Sequence, residues 1–128
     1  QLVGDGSRTT GRTVPYAIWT DPELARVGLS ELEAKKQGLE YKVARLEAGK
    51  IARGVQDGNT QGFIKILVNP QTEEILGATL FMAHAGDLIH LLSSLMILKA
   101  PYTLVRDAVL THPSYTEGLQ KAFMTLKS

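Results

Sequence analysis

The residues best suited to proton chemistry are His112 and Glu117, which lie near the C-terminal end of the chain. Histidine changes charge near neutral pH, and a carboxylate bonded to its ring fixes which nitrogen carries the proton. The spacing from Ser114 to Glu117 also fits a helix-capping box, in which Ser114 caps the helix and Glu117 satisfies free backbone N–H groups. Glu117 therefore has two candidate roles, as the residue that orients His112 and as a structural residue of a helix predicted after Pro113.

The composition excludes several classes of protein. The chain has 14 basic and 13 acidic residues and a net charge of +1, and without a basic block it does not fit a nucleic-acid binder. No apolar run approaches the roughly 20 residues of a membrane span, and no signal pattern is present, which predicts a cytoplasmic protein without a membrane partner. The chain has no cysteine, and the spacing of His84 and His90 puts them on different helix faces, so no metal site is predicted.

The hydrophobic patterning predicts one α+β domain, an antiparallel sheet of about 4–5 strands with helices packed on one side. The strands are predicted at Tyr16–Thr20, Leu24–Gly28, Tyr41–Leu46, Phe63–Val68 and Ile75–Met82. The helices are predicted from the Ser30 capping box to about Gln37, over Ala85–Lys99, over Thr103–Ala108 with Thr103 as its cap, and after Pro113.

The longest predicted helix, Ala85–Lys99, is apolar on more than one side. Its leucines step at intervals of three and four, and Ile89 and Leu98 widen the stripe beyond one face. Such a helix must bury more surface than its own sheet covers, which indicates a subunit interface; the alternative is a helix inside the core of its own domain. The residues assigned to the interface are Asp87, Leu88, Leu91, Leu92, Leu95 and Tyr115.

Four blocks of sequence occur in a recognisable order: Val14–Glu31, Gly62–Lys65, Ile75–Ala78 and Leu110–Leu119. Together they resemble the C-terminal dimerisation domain of the FAD-dependent pyridine nucleotide-disulfide oxidoreductases, the family of glutathione reductase, dihydrolipoamide dehydrogenase and mercuric reductase. The last block is similar to that family's His-Pro-Thr-x-x-Glu signature, with Ser114 where Thr is usual.

The resemblance implies a homodimer that serves redox homeostasis. In such an enzyme, FAD and NAD(P)H bind to domains upstream in the same chain, and a cysteine pair there exchanges with a small-molecule disulfide. His112 would be the acid/base that reaches the partner subunit's cysteine pair, Glu117 would orient it, and Pro113 would lie at the cofactor. The resemblance also implies a cis peptide bond between His112 and Pro113.

Residues 1–13 are polar and glycine-rich and are predicted to be a linker or disordered terminus, which leaves 14–128 as the dimerisation domain of a longer flavoenzyme. Without a cysteine or a G-x-G-x-x-G fingerprint, the isolated chain is expected to dimerise, to bind neither FAD nor NAD(P)H, and to be inactive. Two alternatives stay open: a stand-alone dimerising interaction module, and a domain of a flavin transhydrogenase that lacks redox cysteines.

Overall fold

The computed structural model describes residues 11–126, so residues 1–10 of the predicted linker lie outside the described residues. Five strands in this part of the chain form one sheet: β1 Tyr16–Ile18, β2 Leu24–Gly28, β3 Lys42–Glu47, β4 Phe63–Val68 and β5 Ile75–Phe81. Their order across the sheet is β1-β2-β5-β4-β3, and every neighbouring pair is antiparallel. The predicted α+β class with a five-stranded antiparallel sheet is confirmed.

The described range also contains five α-helices and a 3-10 turn at Ala48–Lys50; the first two helices and the turn lie between strands, and the last three helices follow β5. The helices are α1 Glu31–Lys36, α2 Ala52–Gln56, α3 Ala85–Leu98, α4 Thr103–Arg106 and α5 Thr116–Phe123. The predicted capping box at α1 is confirmed, because the Ser30 hydroxyl accepts from the Glu33 N–H at 3.2 Å. The Glu33 carboxylate in turn accepts from the Ser30 N–H at 2.7 Å.

One face of the sheet carries the hydrophobic core. Two rows of side chains cross four strands in register, Ala25–Leu80–Ile64–Leu46 and Val27–Ala78–Ile66–Ala44. Helix α3 packs over β1, β2 and β5, and α5 packs over β3 and β4. Leu92 of α3 and Phe123 of α5 are fully buried against this face. The two helices therefore form one layer on the same side of the sheet and share one core with it.

Helix α1 lies on the opposite face of the sheet. Its Glu31 carboxylate accepts from Lys65 Nζ at 2.8 Å, and Lys65 alternates along β4 with the core residues Ile64 and Ile66. Lys65 therefore points away from the core, because successive strand residues face opposite sides. The prediction of helices on one side holds for α3 and α5 and not for α1.

The leucines of α3 do not lie where the interface prediction put them. Leu92 is fully buried, Leu88 and Leu95 are each only 8% exposed, and all three belong to the core of their own domain. The reason is that α3 lies across three strands, so its own sheet covers more of its surface than the width of the stripe suggested. Leu91 is half-buried and Asp87 is exposed, so these two stay available to a partner.

Candidate functional site

The segment that carries His112 connects α4 to α5. The side-chain amide of Gln120, on α5, fixes its start by donating to three carbonyl oxygens, at 3.4, 3.1 and 2.7 Å: those of Val105, Arg106 and Ala108. The peptide bond between His112 and Pro113 is cis, as the resemblance implied. A second cis bond, between Asp21 and Pro22, was not predicted.

His112 and Glu117 form the pair that the resemblance implied. His112 Nδ1 lies 2.9 Å from Glu117 Oε1, and Glu117 Oε2 accepts the Ser114 N–H at 2.8 Å. These two bonds, the one from Ser114 first, hold the pKa of the Glu117 carboxyl below its usual value. An ionised carboxylate only accepts hydrogen bonds, so we assign the ring proton to Nδ1, which leaves the Nε2 lone pair free.

The two members of the pair differ in exposure. The His112 side chain is 70% exposed, whereas that of Glu117 is 16% exposed. The carboxylate is thus anchored at the base of α5, while the imidazole projects into the surroundings. This arrangement suits a residue that exchanges protons with a group from another chain. Nε2 is accessible at the surface of the domain, while Nδ1 is hydrogen-bonded to the largely covered carboxylate.

Ser114 does not cap α5, and this part of the sequence prediction is wrong. The residue before the helix is Tyr115, whose φ of −69° and ψ of −28° are helical, and no side-chain cap bond forms at this end of the described helix. Ser114 Oγ is a buried oxygen without a hydrogen-bond partner among residues 11–126. The helix starts one residue later than the spacing implied, so the serine lies too far back for its hydroxyl to reach the N–H groups. Thr103 likewise does not cap α4, since Tyr102 holds that position in a helical conformation.

Tyr115 is bonded within its own domain, although it was assigned to the interface. Its hydroxyl donates to Asp57 Oδ2 at 3.0 Å and accepts from Asn59 Nδ2 at 3.0 Å. Arg53 Nε donates to the same Asp57 oxygen at 2.9 Å, and the His84 ring lies over the Tyr115 ring with centroids 4.3 Å apart. Sequence reasoning missed this cluster, because its members come from separate segments of the chain and no local pattern links Tyr115 to Asp57.

The described residues do not form a dinucleotide site. A pyrophosphate needs a glycine-rich turn between a strand and the N-terminus of a helix. Residues 11–126 hold three strand-to-helix junctions: Leu29-Ser30 between β2 and α1, Ala48–Ile51 between β3 and α2, and Met82-Ala83-His84 between β5 and α3. The second has one glycine and the other two have none, so none of them is such a turn. Pro113 is half-buried in the segment between α4 and α5. FAD and NAD(P)H therefore do not fit this part of the chain by itself.

No group of three His, Asp or Glu side chains among residues 11–126 is arranged to hold a metal ion. Within those residues no helix has both the length and the apolar character needed to cross a bilayer. His84 and His90, set aside as metal ligands from their spacing, lie at the start of α3 and on its exposed face.

Comparisons with known proteins agree with the family resemblance that the four sequence blocks carry. The family model described as the pyridine nucleotide-disulphide oxidoreductase dimerisation domain matches residues 14–123. The chain is 33% identical, over 99% of its length, to the "Probable pyridine nucleotide-disulfide oxidoreductase RclA" of Escherichia coli (strain K12), and 35% identical, over 82%, to a dihydrolipoyl dehydrogenase of Mycoplasma pneumoniae. It covers only 29% and 23% of those two proteins.

A solved structure shares the fold. The HOCl-induced flavoprotein disulfide reductase RclA from Escherichia coli superposes with a TM-score of 0.90 at 34% identity. The match covers 98% of this chain and 29% of that one. The likeness thus extends over nearly all of this chain and over a minor part of the larger protein.

Proposed function

We propose that this chain, which belongs to the pyridine nucleotide-disulphide oxidoreductase dimerisation-domain family, is the dimerisation domain of a flavin-dependent NAD(P)H:disulfide oxidoreductase. In that enzyme it would supply His112 and Glu117 as an acid/base pair to the redox-cysteine site of the partner subunit. The observation that carries the proposal is the 2.9 Å bond between His112 Nδ1 and Glu117 Oε1, with an exposed ring above a largely covered carboxylate.

The pair suits thiol–disulfide exchange. A thiolate attacks one sulfur of a disulfide, a new S–S bond forms, the old one breaks, and the second sulfur leaves as a thiolate that needs a proton. His112 Nε2 accepts the proton when the attacking thiol ionises and returns it to the leaving thiolate. Glu117 acts by orientation and charge, since its ionised form stabilises the imidazolium that exists between the two transfers.

The cofactors and the thiols of this proposal belong to the rest of the enzyme. In the full-length enzyme, FAD and NAD(P)H would supply the electrons, the upstream domains of the same chain would hold both cofactors, and Pro113 would lie at the cofactor. The substrate is a small-molecule disulfide. Support comes from the coverage of the relatives, because this chain spans less than a third of each.

The homodimer is proposed to use a surface other than the buried leucines of α3. Large apolar side chains are exposed along the end of α3, on α4 and before His112: Ile97 at 65%, Leu98 at 74%, Leu104 at 59% and Val109 at 101%. On α3 itself, Ile97 and Leu98 together with the exposed Asp87 and the half-buried Leu91 are side chains that the domain does not bury. Exposed apolar groups of this kind are typical of interaction sites.

The decisive experiment compares two half-reactions in the full-length enzyme. His112→Gln should leave reduction of the flavin by NAD(P)H unchanged and slow disulfide turnover by about 10²–10⁴-fold, the worth of a positioned acid/base. Glu117→Gln should cost less, because Glu117 orients and does not transfer. His90→Gln, at an exposed histidine of α3, is the matched control and should behave as wild type.

Three outcomes would contradict the proposal. Wild-type turnover in both His112→Gln and Glu117→Gln would remove the acid/base assignment. A full-length protein that reduces its flavin but lacks disulfide turnover would favour the transhydrogenase alternative, and one that binds no flavin would favour the interaction module.

A further inference from the structure

We propose that Tyr115 is a positioning residue for the His112–Glu117 pair, and that it works by tying the start of α5 to Asp57 at the end of α2. The inference rests on the proposed function, since it concerns the same pair. The tie consists of the bond from the Tyr115 hydroxyl to Asp57 Oδ2 and the bond from Asn59 Nδ2 to that hydroxyl, both 3.0 Å long.

The far end of the tie is itself fixed. Arg53 and Asp57 form an ion pair of 2.9 Å at i and i+4 on α2 and its cap, and this pair holds the pKa of the Asp57 carboxyl below its usual value, mainly through the bond from Arg53. The carboxylate is therefore charged at neutral pH and accepts from the Tyr115 hydroxyl. A hydrogen bond to a charged group is stronger than one between neutral groups.

The Tyr115 ring also has a defined seat. The His84 ring lies over it at 4.3 Å, and Gly54 of α2 faces its edge, where an added Cβ would lie 3.6 Å from Tyr115 Cε1. That Cβ would also come within 2.7 Å of the Asn59 carbonyl oxygen, so the absence of a side chain at Gly54 lets the turn at Asn59 approach α2, while the ring lies at ordinary van der Waals distance from the same position. The tyrosine is thus placed by three separate elements: α2, the turn after it and the start of α3.

The placement of Tyr115 affects the His112–Glu117 pair, because Tyr115 lies between the two hydrogen bonds that hold the start of α5. The residue before it, Ser114, donates the N–H that holds Glu117, and the Tyr115 carbonyl accepts the Gly118 N–H at 2.9 Å in the first turn of α5. In the described helix no serine or threonine hydroxyl caps that turn. The tyrosine hydroxyl is the side-chain contact that fixes where α5 begins, and hence where Glu117 meets His112. A displacement of about 1 Å in such a site is enough to cost about 10²-fold in rate.

The first test uses the 128-residue chain and does not depend on activity. Carbon-13 NMR of the Glu117 carboxyl gives its pKa in Tyr115→Phe and in Tyr41→Phe, a matched control that deletes another hydroxyl–carboxylate bond, the one from Tyr41 to Glu31 at 3.2 Å. Loss of the tie loosens the Ser114–Glu117 bond, so the Glu117 pKa should rise toward its ordinary value in Tyr115→Phe and stay as in wild type in Tyr41→Phe. An unchanged Glu117 pKa in Tyr115→Phe would overturn the proposal.

The second test uses the full-length enzyme. Tyr115→Phe should lower disulfide turnover about tenfold, within the range expected for a misplaced pair, and leave flavin reduction unchanged. Asp57→Asn keeps an acceptor oxygen and should restore most of the turnover that Asp57→Ala loses; equal turnover in the two would count against the tie. If Tyr115→Phe does not fold, Asp57→Ala removes the same bond from its other side and gives the same comparison. A shifted Glu117 pKa with full turnover in His112→Gln would leave the tie standing and remove the proposed function.

Discussion

Ser114 and Ser30 offer a paired test of what a helix-start serine does. At both positions a glutamate three residues later accepts the serine's backbone N–H, at 2.8 Å from Glu117 and 2.7 Å from Glu33. The two serines differ in what their hydroxyl groups do. Ser30 Oγ accepts the Glu33 N–H, whereas Ser114 Oγ is buried without a partner among the described residues. Alanine at either position keeps the backbone bond and deletes the hydroxyl.

The expected stabilities have opposite signs. Ser30→Ala removes a working cap and should lower the free energy of unfolding by about 1 kcal/mol. Ser114→Ala removes an unsatisfied polar atom, whose burial costs about 1–3 kcal/mol when complete, and since Ser114 is half-buried we expect a change between zero and a gain of about 1 kcal/mol. In a domain of this size, a change of 1 kcal/mol corresponds to about 3–5 °C in Tm.

Urea unfolding of the two variants and wild type, followed by far-UV circular dichroism at pH 7, measures both changes. The slope of free energy against urea should be the same in all three proteins, so that midpoints can be compared directly. If Ser114→Ala loses as much stability as Ser30→Ala, the Ser114 hydroxyl caps α5 in solution, and the placement of that helix start is wrong.

Two further predictions concern packing. Leu92→Asp puts a charge into the core, so it should lower the free energy of unfolding by more than about 4 kcal/mol, measured by urea unfolding. Val109→Asp changes an exposed residue, so its stability should stay within about 0.5 kcal/mol of wild type, but it should weaken self-association in sedimentation velocity. A dimer as tight in Val109→Asp as in wild type would exclude that surface. Gly77→Ala would bring a Cβ to 2.0 Å from the Leu29 carbonyl oxygen and should cost about 2 kcal/mol or more, while Gly49→Ala, whose nearest neighbour would be 3.5 Å away, should be nearly neutral in the same urea assay. Equal effects of the two alanines would mean that β2 and β5 can move apart at no cost.

The sequence predicted those features that depend on neighbours along the chain. The β-prone runs Phe63–Val68 and Ile75–Met82, separated by a short loop, predicted the central hairpin. The motif that carries the family resemblance predicted the contact between His112 and Glu117. The prediction that Ser114 caps α5 was wrong, because the sequence does not show that the helix begins one residue later. Ser114 and Glu117 have the same spacing as Ser30 and Glu33, so the two helix starts look alike in the printed sequence.

The remaining differences arose from contacts between distant parts of the chain. The periodicity of α3 shows that its leucines are apolar, but not whether a sheet or a partner covers them, and the answer depends on its lying across three strands. Tyr115 and Asp57 are 58 positions apart in the chain, and their bond follows from the packing of α2 beside the start of α5. No local pattern in either segment carries that information.

The position of β2 in the sheet has a consequence for the order in which the domain assembles. Its Arg26 donates to Thr79 of β5, 53 positions later, while β4 and β5 are joined by a short hairpin. Closing so long a loop is slow, because chain entropy is lost before any contact compensates for it. The β4–β5 hairpin should therefore form early, and β2 should join it late. During synthesis on the ribosome, β1 and β2 emerge together, well before β5, the second neighbour of β2, has been made. The N-terminal strands must therefore wait, with their apolar residues uncovered, until the middle of the sheet has been made.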